Sequence, residues 1–166
     1  MKRKPLTATV NYVYACGHWL QTHSTLRRFT RKVINEVFMH YDVKELLYSF
    51  TIMLADDKIL QDLNKEFRAR DYPTNVLSFP EEMMIGCRLY LGDIAISYER
   101  VTQEASQQNK NFKNHYAHMI VHGILHLLGY DHQTDEQAGI MEALEVQILS
   151  ALRIPNPYEQ DYLNTV

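Results

Sequence analysis

At 166 residues the chain has the usual length of one domain and is long enough to bury a real core. Its 46% hydrophobic and 22% charged residues exclude wholesale disorder, and no apolar run reaches the roughly 18–20 residues of a membrane-spanning helix. The net charge of −3, from 17 basic against 20 acidic residues, excludes a protein that holds nucleic acid by bulk electrostatics alone.

Lys2, Arg3 and Lys4 precede a partly apolar run ending at Ala15-Cys16, superficially like an export signal. Such a signal is continuously apolar, whereas Thr7, Thr9, Asn11 and two tyrosines interrupt this run, so no export is expected. Residues Leu6 to Tyr14 alternate like a strand instead. From Ser24, a candidate N-cap, Leu26, Phe29, Val33 and Val37 fall at helical spacing, with Arg27, Arg28, Arg31 and Lys32 clustered on the same segment. Tyr48 to Leu54 is rich in β-formers. Asp56 or Asp57 then caps a short helix whose Ile59, Leu60, Leu63 and Phe67 make one apolar face. The polar stretch Arg68 to Thr74, with Pro73, reads as a loop.

Asn75 to Phe79 is a short strand closed by Pro80, and Leu89 to Ser97 is another, with Gly92 and Asp93 in its middle. Ser97 to about Asn109 reads as a helix, and Phe112 to Leu128 as a longer one that Gly129 ends in a left-handed conformation. Thr134 and Gln137 form a capping box for the last helix, whose stripe is Met141, Leu144, Ile148 and Leu152 and which Pro155 and Pro157 terminate. With no repeat and no linker-like stretch before the last dozen residues, residues 1–166 are expected to form a single α+β domain. A small mixed four-stranded sheet would be packed with about five helices, a metal-binding helix lying near the C-terminal third. Cys16 and Cys87 form no CxxC pair, which fits a reducing, cytoplasmic setting and predicts two buried free thiols.

The chemistry concentrates at the end of the long helix. His122 and His126 are four residues apart, so their imidazoles lie on one face, one turn apart, and both can reach a single ion. Gly129 can stop the helix and turn the chain so that His132 returns to the same point. Three neutral imidazoles leave a fourth position for water, the arrangement of catalytic rather than structural zinc. One zinc ion per chain is therefore expected, although a three-histidine set also suits nickel and other metals. His115 and His118 fall on nearly the same stripe and read as supporting or structural residues, and Asp131 as a turn residue that could orient a ligand. Gly123 stands where the metalloprotease helix has its glutamate base, which demotes peptide hydrolysis; close packing on a strand explains a glycine there equally well. No nucleophile elbow, P-loop or Rossmann fingerprint is present, so the metal is the only candidate for the chemistry.

The stretch from Leu63 to Pro80, with Arg68 at a helix exit, the segment Leu91-Gly92-Asp93-Ile94-Ala95-Ile96-Ser97 and the block from His122 to His132 together resemble the YbeY family of bacterial endoribonucleases. The resemblance runs from about residue 50 to residue 150, and the first forty residues match only in pattern. It implies an α+β fold, zinc held by His122, His126 and His132, and a motif arginine at Arg68. It further implies cleavage of single-stranded RNA in ribosomal RNA maturation and ribosome quality control, with the ribosome or ribosome-associated proteins as partners and no membrane. Arg68 and His122 are accordingly the catalytic candidates, Arg68 as a bidentate clamp on the phosphate. Asn75 departs from the family pattern, where aspartate is commoner, which puts a charged role there in doubt. The basic Ser24 helix could track an RNA backbone. Two other readings remain open on the residues alone: a zinc hydrolase of a non-RNA substrate, and a non-enzymatic ribosome-assembly factor with structural zinc.

Overall fold

A computed structural model describes residues 8–41 and 47–159, with the backbone alone at 22–24. In chain order these form β1 (Thr9–Tyr14), a 3-10 run (Gly17–Thr22), α1 (His23–His40), β2 (Leu47–Ala55), α2 (Asp57–Arg68), β3 (Val76–Ile85), β4 (Arg88–Ser97), α3 (Tyr98–Gln107), α4 (Phe112–Leu127) and α5 (Asp135–Ala151). The strands make one sheet in the order β1-β2-β4-β3. The β1–β2 and β2–β4 pairs are parallel and the β3–β4 pair is antiparallel. The mixed four-stranded sheet with five helices is the expected α+β architecture.

Period-two alternation divides the strand side chains between two faces. Phe50, Ile52 and Leu54 of β2 and Ile94 and Ile96 of β4 enter the large core, with Val33 and Val37 of α1, Ile120 and Ile124 of α4 and Met141 and Ile148 of α5. Ala55 and Ala95, one position out of phase, join Leu77 and Leu60 of α2 in a smaller cluster. Helix α2 therefore covers one face, and α1, α4 and α5 the other. Burying side chains such as Ile94 and Ile124 contributes roughly 1.5–3 kcal/mol each.

Four details depart from the sequence reading. β3 does not stop at Pro80 but runs on to Ile85, with a register shift between Pro80 and Met83. It is an edge strand with an irregularity beginning at Pro80, the setting in which a proline's missing N–H is tolerated. Opposite Pro80, Gly92 has φ +119 and lies so close to β3 that a Cβ would sit 2.0 Å from the Phe79 carbonyl oxygen. Second, α1 begins at His23, because the 3-10 run leads straight into it; Ser24 lies inside its first turn rather than capping it. Third, neither cysteine is buried: Cys16 is half-buried beyond β1, and Cys87 is exposed in the β3–β4 turn. Fourth, β1 starts at Thr9; Leu6, Thr7 and the basic Lys2–Lys4 stretch lie outside the described residues.

Candidate metal centre

Helix α4 lies flat on β4 because Gly123 permits it. A Cβ at 123 would stand 3.0 Å from both Ile94 Cδ1 and Cγ2, so the packing explanation of this glycine holds. Ser78 of β3 donates its hydroxyl to the Gly123 carbonyl at 3.4 Å. The helix is thus registered against the β3 side of the sheet, with His122 and His126 at its C-terminal end. There the chain turns as the sequence predicts. The Tyr130 N–H bonds to the Leu125 carbonyl and the Gly129 N–H to the His126 carbonyl, each at 3.0 Å, with Gly129 at φ +92. This Schellman closure satisfies the last carbonyls and brings His132 back.

The three imidazoles converge. Ring centroids lie 4.6 Å apart for His122 and His126, 4.9 Å for His126 and His132, and 5.5 Å for His122 and His132. One nitrogen from each falls within 4.8 Å of the other two. His126 Nδ1 lies 2.9 Å from the Tyr130 carbonyl. A carbonyl only accepts, so the proton sits on Nδ1 and Nε2 carries a lone pair. His122 Nδ1 lies 2.7 Å from Glu145 Oε1. Burial alone would raise the Glu145 carboxyl, but hydrogen bonds from His118 and His122 outweigh it and hold it at about 2. The carboxylate likewise only accepts, so His122 Nδ1 carries a proton and Nε2 is the ring nitrogen turned toward the centre.

These two nitrogens face each other at 3.1 Å. Burial, helped by the neighbouring His122 and His132, holds the His126 imidazole down at about 4, so it is neutral near pH 7. Two ring nitrogens this close are bridged by a shared proton or by a metal ion. A tetrahedral zinc ion separates two imidazole nitrogens by about 3.3 Å. The donor set fits a metal ion, with His122, His126 and His132 as the residues able to hold it.

Sequence reasoning missed Glu145. It is fully buried on α5, bonded through Oε1 to His122 and through Oε2 to His118 at 2.9 Å and to the Tyr158 hydroxyl. The available signal was a lone glutamate among Met141, Ile148 and Leu149 on a buried helix face. Asp131 does not orient an imidazole; its carboxylate accepts the His132 backbone N–H at 2.8 Å. Of the other histidines, His115 meets Glu104 at 2.7 Å and His118 meets Glu145, and both are buried.

A cleft of about 780 Å³ opens beside the three histidines and is also lined by Arg68, Arg70 and Tyr72. Arg68 is the last residue of α2, and Ala69 ends the helix in the left-handed region at φ 54. Its Nη2 donates to the Ser78 carbonyl at 3.1 Å, which ties the guanidinium to the strand that borders the centre. Buried Asn64, also unforeseen, fixes the following loop by donating to the Tyr72 carbonyl at 2.8 Å. Asn75 donates its amide to Glu104 at 2.9 Å, a contact that an aspartate would replace with carboxylate repulsion. The basic cluster is not brought here: Arg27, Arg28 and Arg31 line a separate groove with Tyr12 of β1, at the opposite edge of the sheet from β3.

Residues 17–153 match the family model described as Endoribonuclease YbeY. The chain belongs to the YbeY family. A relative of that name from Chelativorans sp. (strain BNC1) is 40% identical over 153 residues, covering 90% of this chain and 93% of its own. Another from Paramagnetospirillum magneticum (strain ATCC 700264 / AMB-1) is 45% identical over 123 residues, covering 70% and 75%. The solution structure of a Thermotoga maritima protein superposes with a TM-score of 0.53 at 23% identity, covering 91% of this chain and 95% of that one, a likeness of fold. The matched family segment contains Arg68 and all three cleft histidines.

Proposed function

We propose that this chain is a zinc-dependent endoribonuclease that cuts single-stranded RNA in ribosomal RNA maturation and ribosome quality control. The observation that carries the metal is the convergence of His122, His126 and His132, with one nitrogen from each within 4.8 Å of the others and the His122 and His126 Nε2 atoms 3.1 Å apart. Membership of the YbeY family, whose relatives are named endoribonucleases, supports the reaction and the RNA substrate. His122, His126 and His132 hold the zinc ion. When bound, zinc supplies Lewis acidity, polarising a phosphoryl oxygen and acidifying water near neutral pH.

The protein's own groups do the rest. Glu145 accepts the His122 Nδ1–H, which fixes that ring's tautomer and makes its other nitrogen a better donor. The Tyr130 carbonyl does the same for His126. Arg68, steadied by the Ser78 carbonyl, offers its remaining N–H groups to the non-bridging oxygens of the phosphodiester, where negative charge grows. His122 acts with Arg68 as the second catalytic residue, by way of the ion it holds. The open cleft, with Tyr72 and Arg70 on its rim, suits an extended single strand whose bases are free to stack. Peptide hydrolysis is disfavoured because Gly123 supplies no general base beside the histidines, and a Cβ there would crowd Ile94 at 3.0 Å.

The chain acts as one unit in the cytoplasm, with the ribosome or ribosome-associated proteins supplying the affinity that a net charge of −3 does not. No described helix is long and apolar enough to cross a membrane. The test combines elemental analysis with cleavage of a single-stranded RNA by wild type and Arg68→Ala. Equal zinc content in both proteins, at least one ion per chain, with cleavage lowered about 10²-fold in the variant, is the expected result. Stoichiometric zinc with no cleavage by rigorously purified wild type would refute the nuclease reading.

A further inference from the structure

Cys16, His18 and Glu99 form a second convergent donor set, outside the cleft. Cys16 follows β1, His18 lies on the 3-10 run and Glu99 stands in the first turn of α3. Cys16 Sγ lies 3.5 Å from His18 Nδ1, and Glu99 Oε1 lies 3.8 Å from that same nitrogen. All three donor atoms are within 4.8 Å of one another. A hydrogen-bonded relay through a histidine uses its two ring nitrogens, one for each neighbour. Here thiol and carboxylate both meet at Nδ1, which marks a shared point rather than a relay.

The spacing has a metal's dimensions. Tetrahedral zinc with Zn–S of about 2.3 Å and Zn–N of about 2.0 Å holds sulfur and nitrogen about 3.5 Å apart. Two of the donors are also held from behind. Glu99 Oε2 accepts the Asp57 backbone N–H at 3.1 Å, which leaves Oε1 directed at His18. The His18 ring stacks on Tyr98 with centroids 5.3 Å apart and planes 29° apart. Next in the chain, Trp19 packs edge-on against the same tyrosine and donates its indole N–H to the Ala55 carbonyl at 2.8 Å. The segment is therefore anchored on both sides of the donor set. The His18 and Glu99 side chains are 60% and 40% exposed, so an ion can enter from solvent and keep water as a fourth ligand.

We propose that Cys16, His18 and Glu99 bind a second divalent ion of the zinc class. A thiolate, an imidazole and one carboxylate select a borderline-soft ion over magnesium or calcium, which prefer all-oxygen sites. The ion clamps the connection between β1 and α1 to the start of α3. Its role is structural and independent of the proposed cleavage, since no cleft residue takes part.

Sulfur makes the site separable from the three-histidine centre. The full-length chain, stripped of metal, is titrated with cobalt(II) while sulfur-to-cobalt charge-transfer absorption is followed in the near ultraviolet. Wild type and His126→Ala are expected to show the band at one equivalent of the thiolate site, and Cys16→Ser to lack it while keeping RNA cleavage. Cys87→Ser controls for the other thiol and keeps the band. Glu99→Gln retains the sulfur and is expected to weaken cobalt binding at this site at least tenfold. No band in wild type, a band lost with Cys87 rather than Cys16, or unchanged affinity in Glu99→Gln would each overturn the proposal.

Discussion

The two halves of α4 use the same residue type in opposite ways. In the N-terminal half, His115 and His118 turn Nε2 to the carboxylates Glu104 and Glu145, and their Nδ1 atoms are buried without a hydrogen-bond partner among the described residues. In the C-terminal half, His122 and His126 turn Nδ1 to protein acceptors and present Nε2 to each other. Helical spacing puts all four near one stripe. What separates a packing histidine from a candidate ligand is which nitrogen the surroundings occupy and whether the other is left facing a cleft. Glu145 joins the halves, accepting from His118 on one oxygen and His122 on the other.

The sharpest way to break this contrast is His126→Ala. It should empty the centre by elemental analysis and lower RNA cleavage by about 10²-fold or more, because two imidazoles no longer enclose the ion. Zinc content no lower than in wild type would place the ion elsewhere. Next comes Glu145→Gln, which leaves all three ligands but removes the charge behind His122. Zinc affinity should fall about 10- to 100-fold in competition with a chelator. An unchanged affinity would mean that the buried carboxylate serves packing alone.

His115→Ala tests the other half. Zinc content and cleavage should stay at the wild-type level while denaturant unfolding shows a loss of about 1–3 kcal/mol, because partly buried Glu104 loses its partner. Loss of zinc in this variant would erase the distinction between the halves. The smallest effect is in acid. Burial would raise the Glu104 carboxyl, but hydrogen bonds from His115 and Asn75 prevail and hold it below its ordinary value. A depressed carboxyl contributes stability above its unfolded pKa of about 4.3, and this is lost as pH falls through the lower folded value. Unfolding midpoints measured from pH 6 downward should therefore fall less steeply in Glu104→Gln than in wild type, and equal slopes would dismiss the ion pair.

Much of the candidate centre was legible because it is local. The spacing of His122, His126 and His132 around Gly129 lies within eleven residues, and helix periodicity together with one left-handed glycine places all three. Arg68 was legible as a helix exit for the same reason. Glu145 was not, because it reaches His122 from another helix, and a glutamate on an amphipathic helix ordinarily faces water. The extension of β3 past Pro80 was hidden because proline forbids a central strand but not an edge, and only the sheet order reveals which applies. Likewise only the sheet order, with β1 and β3 at opposite edges, sets the basic residues of α1 in a groove apart from the histidine cleft.

Local sequence was enough for the order of helices and strands, the turn at Gly129 and the identity of the three clustered histidines, because backbone periodicity and capping act over a few residues. Packing between distant segments was needed to show which imidazole nitrogen faces the centre, where the buried carboxylate stands and that Cys16, His18 and Glu99 meet. Those depend on segments far apart in the chain, brought together by burial of apolar surface, a force that carries no direction and so leaves no local signature of what it will place side by side.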